Sequence, residues 1–240
     1  MTSDRVERGT SPDAANVLAD GGESRLPPAL RLQILTTEHW SLLSTRALSW
    51  NEAFSRATMF LSVLSGAVVA LALVAQATSF GEGFVTFALL ILPVVLFVGI
   101  ATFMRLVAIN HEDMGWVVGM NLLRHAYLGA APELRPYFVS GSTDDEPGIM
   151  ATFGAAPGPG SFLHEFVTTP GMLAVIDGVI AGVLAGILTL RTGLGTPIGI
   201  GSAVAIGVVT VALLVTYQYR GAVRPRARRP ARFPEEPPPV

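Results

Sequence analysis

The sequence predicts an all-α membrane protein with four transmembrane helices arranged as two hairpins, the first of which is extended by an antiparallel pair of cytoplasmic helices. Three observations support this fold class. Only 14% of the 240 residues are charged, about half of the ~25% that is usual for soluble domains. The mean hydropathy is +0.52. Four runs, each long enough to cross a bilayer core of about 30 Å as a helix, hold almost no charged residue.

The N-terminal part is predicted to be cytoplasmic. Residues 1–28 are polar and interrupted by Gly and Pro, so we expect a disordered tail. In residues 29–56 apolar side chains recur at steps of three and four, which predicts an amphipathic helix leading into the first span. The stripe consists of Leu32, Leu35, His39, Leu43, Ala47, Trp50 and Phe54.

Residues 57–104 are predicted to form the first transmembrane hairpin, because Glu82 is the only charged residue between its two spans. Residues 105–131 repeat the helical spacing and predict a second cytoplasmic helix, which Pro132 ends. Its apolar stripe consists of Leu106, Ile109, Met114, Val117, Met120, Leu123 and Tyr127. If Arg56 and Arg105 lie at the same membrane interface, the two cytoplasmic helices come into register. This register predicts ion pairs of Arg46 with Glu112 or Asp113, and of Glu38 with Arg124.

Residues 132–165 are rich in Gly, Pro, Ser and Thr and are predicted to form a loop. The run from Asp144 to Glu146 in this loop is interpreted as a solvated acidic turn; the alternative is a divalent cation site, for which the EF-hand spacing is missing. Residues 166–219 are predicted to form the second transmembrane hairpin, and residues 220–240 a basic, proline-rich disordered tail.

Arginine distribution predicts the orientation. With both termini in the cytoplasm, 15 of the 16 arginines lie inside and only Arg191 lies outside. We therefore expect a multi-pass protein of the bacterial cytoplasmic (inner) membrane with both termini cytoplasmic. The arginine-rich run in the tail is interpreted as part of this topology signal; the alternative is a site for anionic lipid, worth about 1 kcal/mol per Arg. The run comprises Arg224, Arg226, Arg228, Arg229 and Arg232.

Catalytic motifs are missing. The sequence has no cysteine, no phosphate-binding loop, no GxSxG and no HExxH. We expect a protein that is not an enzyme and has no cofactor, no metal and no nucleic-acid partner. Polar residues just beneath the bilayer could either cap helices and face solvent or bind an ion or ligand together. They are Asn51, Glu52, His111, Glu112 and Asp113.

Asp177 is the charged residue of the third span, where a carboxylate costs about 2.5 to 3.5 kcal/mol on the insertion scale. It lies beside the small residues Ala174, Gly178, Gly182 and Gly186, which allow helices to approach closely, so we expect Asp177 to face protein. Thr210 of the fourth span falls near the same depth. One interpretation is a neutral Asp177 hydrogen-bonded to Thr210 or to a backbone carbonyl. The other is an intramembrane proton or ion site formed by these two residues.

Several segments resemble a group of uncharacterised four-span bacterial integral membrane proteins. They are LTTEHWSLL at 35–43, NEAFSR at 51–56, NLLRHAYL at 121–128 and PELRPYF at 132–138. In layout alone, a cytoplasmic helix, a two-span hairpin and a returning helix also resemble the SLATT-type hairpin effectors. That likeness implies a pore-forming or sensor role.

Two functional classes remain open. The first is a structural, interaction or signalling component that is embedded in the lipid bilayer and associates with itself through glycine-lined spans. Its protein partner, if it has one, cannot be named from the sequence. The second is an ion or proton channel or small transporter that uses Asp177.

Overall fold

The computed structural model describes residues 26–154, 168–226 and 231–234, and only the backbone of residues 221–226. These residues form helices and no strand. The helices are α1 (Pro28–Thr78), α2 (Glu82–Ala130), α3 (Glu146–Phe153), α4 (Thr169–Arg191) and α5 (Thr196–Arg226), with a 3₁₀ helix at Pro132–Tyr137. Our expectations for residues 1–25, 155–167, 227–230 and 235–240 lie outside the described residues.

Four helices in the described ranges, α1, α2, α4 and α5, are long and apolar enough to cross a membrane. Only 11% to 44% of the most apolar window of each helix is buried inside the protein. The rest of these apolar surfaces lies on the outside of the protein, as is typical of helices that face lipid. The predicted all-α class and the four apolar helices are confirmed.

The chain divides into two compact units, residues 1–37 and 38–240. In the first unit, Thr37 Oγ1 donates a hydrogen bond of 2.8 Å to the Gln33 carbonyl, a common arrangement for a threonine inside a helix.

Two short turns separate the long helices. Between α1 and α2 the chain reverses at Ser79 and Phe80, whose φ angles are 47° and 58°. The rings of Phe80 and Phe84 pack edge to face with their centroids 5.4 Å apart. The turn between α4 and α5 uses Gly193 and Gly195, with φ angles of 79° and 84°, where glycine avoids steric strain. The Arg191 side chain forms an ion pair with Glu82, so the two turns are in contact.

The apolar core is formed by side chains from α1, α2, α4 and α5. Helices α4 and α5 approach most closely at their small residues. A Cβ atom on Gly182 would lie 2.5 Å from the Ala203 carbonyl oxygen, and one on Gly178 would lie 2.9 Å from the Gly207 carbonyl oxygen. Only glycine fits such a contact, as is typical of helices packed in membranes. The largest fully buried apolar side chains are Phe60, Val95, Phe103, Leu106, Val107, Ile109, Val117 and Met120.

Two segments have more regular structure than the sequence predicted. Inside the predicted loop 132–165, Asp145 caps the N-terminus of α3 by accepting a hydrogen bond of 3.1 Å from the Gly148 N–H, and Gly154 ends this helix at a φ of 66°. Asp145 is therefore a helix cap. The predicted disordered tail 220–240 is also wrong in part, because α5 continues through Arg226.

Candidate functional site

Asp177 lies at a junction of three helices. It belongs to α4, is 0% exposed, and its carboxyl group faces the backbone of Gly99 on α2. A Cβ atom on Gly99 would lie 1.8 Å from Asp177 Oδ1 and 3.0 Å from Cε2 of Phe60 on α1. The missing side chain of Gly99 therefore makes the space that the Asp177 carboxyl group occupies.

Neither carboxylate oxygen of Asp177 has a hydrogen-bond partner within the described part of the chain. The hydrogen bond that we expected from Thr210 is absent, because Thr210 Oγ1 donates to the Ile206 carbonyl at 2.8 Å. A helical threonine commonly satisfies its hydroxyl in this way. The prediction that these two residues form one site is not supported, since Asp177 faces α2.

The surroundings of Asp177 are apolar. Leu173, Ala174 and Ile180 of its own helix belong to the buried apolar cluster. Thr102, one turn from Gly99, is buried but donates to the Val98 carbonyl at 2.8 Å. No group of three or more metal-ligating side chains occurs among the described residues, and hard cations such as Ca²⁺ take six or more oxygen ligands.

The five polar residues for which a shared ion or ligand site was one alternative are divided by arginine pairs. Asp113, which is 3% exposed, accepts two hydrogen bonds from Arg46, at 2.6 and 3.2 Å. Glu52 accepts two hydrogen bonds of 2.9 Å from Arg105, and Glu112 accepts one of 2.9 Å from the same arginine. The three carboxylates are therefore charge-compensated by arginine.

The other two of the five polar residues stand apart from these ion pairs. Asn51 is exposed, while His111 is half-buried. Burial lowers the pKa of His111 below its ordinary value, because a low-dielectric environment disfavours the charged imidazolium. The ion pairs join α1 to α2. Each of the three carboxylates among these five residues is bound to an arginine, so none is free for a ligand.

Hydrogen bonds from Arg105, with a further bond from Arg56, lower the pKa of Glu52 to about 2.

Farther from the apolar spans on the same two helices, the His39 ring stacks on the Tyr127 ring with the centroids 5.9 Å apart. Burial, and then the charge of Arg124, lower the pKa of His39. Because both pKa values are lowered, His39 and His111 favour the neutral form near pH 7.

The expected ion pair of Glu38 with Arg124 does not form. Arg124 Nη1 donates instead to Asn121 Oδ1 at 2.8 Å. Asn121 is 0% exposed, and its Nδ2 donates to the carbonyls of Thr143 and Gly148 at 2.8 and 3.1 Å. This role of Asn121 was not predicted, although a polar residue directly after Met120 of the apolar stripe was a visible signal.

Most of the arginine-rich run lies outside the described side chains. Arg228 and Arg229 are not described, and only the backbone of Arg224 and Arg226 is. Of Arg232, the backbone N–H donates to Asp144 at 2.8 Å. Lipid binding by this run stays a prediction.

Comparison with models of known families, with curated proteins and with solved structures finds no match to this chain. The resemblance to four-span bacterial membrane proteins therefore stays a hypothesis.

Proposed function

We propose that this protein is a multi-pass protein of the bacterial inner membrane in which Asp177 binds and releases a proton. In this proposal the four spans form two hairpins, and α1 and α2 extend as an antiparallel pair into the cytoplasm, where both termini lie. The observation that supports the site most strongly is the Asp177 carboxyl group, which is fully buried and has no hydrogen-bond partner among the described residues.

This observation favours a functional role for Asp177 over a structural one. A structural role requires a partner, because a buried carboxyl group stabilises a helix interface only when it is hydrogen-bonded. An ionised carboxylate without a counter-ion at this depth is costly. The Asp177 carboxyl group receives no stabilising hydrogen bond from its neighbours, and its ionised form is costly in this environment. Such a group is suited to binding and releasing a proton.

The lining of the site favours a proton over a metal or alkali cation. A cation would need several further oxygen ligands, but Asp177 lies against the Gly99 backbone and the Phe60 ring, and it belongs to no group of three metal-ligating side chains among the described residues. A proton needs only the carboxyl oxygen itself. The proposed ligand is therefore a proton.

Burial implies that proton exchange is coupled to motion of the helices. Asp177 is 0% exposed, so water reaches the carboxyl group only when α4 moves away from α2 at Gly99. The protonated state favours the packed interface and ionisation favours an opened one. Such coupling is the elementary step of a proton channel or a proton-linked small transporter.

The test is proton flux into liposomes that contain the purified protein, driven by a pH difference. Wild type is compared with Asp177→Asn, which keeps the shape of the side chain, and with Glu133→Gln, which makes the same chemical change at an exposed position of the 3₁₀ helix. The proposal predicts flux in wild type and Glu133→Gln and its loss in Asp177→Asn. Equal flux in all three proteins, or none in wild type, would remove the proton-transport role.

A second candidate function, an interaction component that associates with itself, is favoured by a different observation. An apolar groove of about 610 Å³ runs between α4 and α5 and is lined by Gly178, Gly182, Gly207 and several valines. Grooves lined by small residues suit the packing of a further transmembrane helix. Val179 lines the groove and is 61% exposed, so Val179→Trp would fill it.

The two functions are distinguished by the same pair of variants. If the protein is an interaction component, Val179→Trp lowers cross-linking between copies in lipid, while Asp177→Asn leaves it unchanged. If proton binding is the function, Asp177→Asn abolishes activity whatever the oligomeric state.

A further inference from the structure

Residues 231–234 contact the loop that precedes α3 and one face of α2. The backbone N–H groups of Arg232 and Phe233 donate to Oδ2 and Oδ1 of Asp144, each at 2.8 Å. The Phe233 ring stacks on the His125 ring with the centroids 4.1 Å apart and the planes at 18°. Three contacts, two polar and one aromatic, thus hold a segment of four residues.

The receiving surface is built by interactions that do not involve the tail. Asn121 Nδ2 donates to the Thr143 carbonyl at 2.8 Å, and Thr143 Oγ1 donates to Asp145 Oδ1 at 2.6 Å, so the residues on both sides of Asp144 are fixed. His125 follows Asn121 by one helical turn and lies on the same face of α2. The loop before α3 therefore presents Asp144 next to the face of α2 that carries His125.

The chemistry of the contact defines what this surface recognises. Two consecutive backbone N–H groups bind one carboxylate through charge-assisted hydrogen bonds, as in backbone anion-binding nests. The tail contains many prolines, which cannot donate such bonds. Pro230 and Pro234 flank the two donors without replacing either of them. The surface thus fits a bent segment with two free N–H groups and an aromatic side chain.

We propose that Asp144 and His125 form an intramolecular docking site for the C-terminal tail, and that residues 231–234 are the latch that occupies it. Helix α5 is described through Arg226 and the latch comprises residues 231–234, so the described members of the arginine-rich run lie either in this helix or in the latch. Because Arg232 is part of the latch, a ligand that binds the arginine-rich run in an extended form must first release the latch. Ligand binding to the run and docking of the latch are then mutually exclusive, so the ligand and the docking site compete for the tail.

Trypsin cleavage of the full-length protein tests this proposal directly. Trypsin cuts after Arg232 only when this peptide bond is free of the surface, so cleavage reports the undocked fraction. Asp144→Ala and His125→Ala remove one part of the site each and leave the cleaved sequence unchanged. We expect release of the peptide 233–240 to be about tenfold faster in Asp144→Ala, which loses both charge-assisted hydrogen bonds, and faster to a smaller extent in His125→Ala.

Glu133→Ala is the matched control, because it removes an exposed carboxylate from the neighbouring 3₁₀ helix, and it should be cleaved at the wild-type rate. Equal rates in wild type, Asp144→Ala and His125→Ala would overturn the proposal. Hydrogen–deuterium exchange in the wild-type protein gives an independent answer that needs no variant. Slow exchange of the Arg232 and Phe233 amides supports the latch, and exchange at the rate of an unstructured peptide refutes it.

Discussion

At the scale of single residues, Gly99 makes the environment of Asp177 possible. A carboxyl group can lie against the α2 backbone only because position 99 has no side chain. Asp177 could be identified from the sequence, since a charged residue in an apolar span is conspicuous. Gly99 could not be identified among 25 glycines, because the contact depends on how α2 and α4 pack and not on local sequence.

Gly99→Ala is therefore expected to destabilise the folded protein, because its Cβ would lie 1.8 Å from Asp177 Oδ1. We expect a loss of about 1–3 kcal/mol, as is typical when an atom is forced into a packed core. The measurement is the midpoint of thermal unfolding in detergent. Gly66→Ala is the control, since a Cβ there meets nothing within 4 Å; it should be neutral or stabilise the helix by up to about 1 kcal/mol.

A double variant isolates the contact between the two residues. Asp177→Ala removes the carboxyl group that the new Cβ would strike, so most of the Gly99→Ala loss should be recovered in the Asp177→Ala background. Additive losses in the double variant would show that the two positions do not interact.

At the scale of elements, arginine–carboxylate pairs join α1 to α2 beyond their apolar spans. Their approximate register could be predicted by aligning Arg56 with Arg105, and the pairing of Arg46 with Asp113 is confirmed. The apolar stripe of α2 was also largely right, because Leu106, Ile109, Val117, Met120 and Leu123 are buried.

The stripe predicted for α1 is right only in part. Leu35, His39 and Trp50 are half-buried, but the other four members are exposed, and Ala53, which was not predicted, is the buried residue of this segment. Helix α1 has apolar residues on several faces, so periodicity alone could not select the face that contacts α2.

Arg46→Ala is expected to destabilise the protein by about 2 to 5 kcal/mol, because it leaves the buried Asp113 carboxylate without its counter-ion. Arg56→Ala removes the same side chain from an exposed i,i+4 pair with Glu52 and should cost about 0.5 kcal/mol or less. Thermal unfolding of both variants in detergent provides the comparison. Similar losses of stability in the two variants would show that the Arg46–Asp113 pair stabilises the protein no more than the exposed Arg56–Glu52 pair.

The low pKa of Glu52 predicts a dependence of stability on pH. Its pKa falls from 4.5 to about 2 on folding, so the folded state favours the ionised form. The stabilisation is therefore fully present above about pH 4.5 and is lost as the pH falls towards 2. Glu52→Gln should lower the unfolding temperature at pH 7 and have little effect near pH 2. A difference from wild type that stays constant across this range would contradict the assignment.

At the scale of the whole molecule, the all-helical class and the four apolar helices could be predicted because hydrophobic length is a local property of the sequence. The structure of the linker could not, since α3 depends on a distant anchor, Asn121, which binds the carbonyls of Thr143 and Gly148. The contact of residues 231–234 with Asp144 and His125 was also missed, because it joins segments that are far apart in sequence.

The proposed orientation can be tested with reporter fusions. A reporter that is active only outside the cytoplasm should be silent when fused at Val240 and active when inserted at Glu82, because the arginine distribution places the Glu82 turn outside. A reporter that is active only in the cytoplasm should give the opposite pattern. External activity at Val240 would show that the proposed topology is wrong.

The central claim is that the buried Asp177 carboxyl group holds an exchangeable proton, and infrared difference spectroscopy tests it most directly. Spectra of the protein in lipid are recorded across a pH titration for wild type, Asp177→Asn and Glu133→Gln. We predict that wild type and Glu133→Gln show a carbonyl band of a protonated carboxylic acid in an apolar environment, which disappears at high pH and is missing from Asp177→Asn. Identical spectra for wild type and Asp177→Asn throughout the titration would contradict the account.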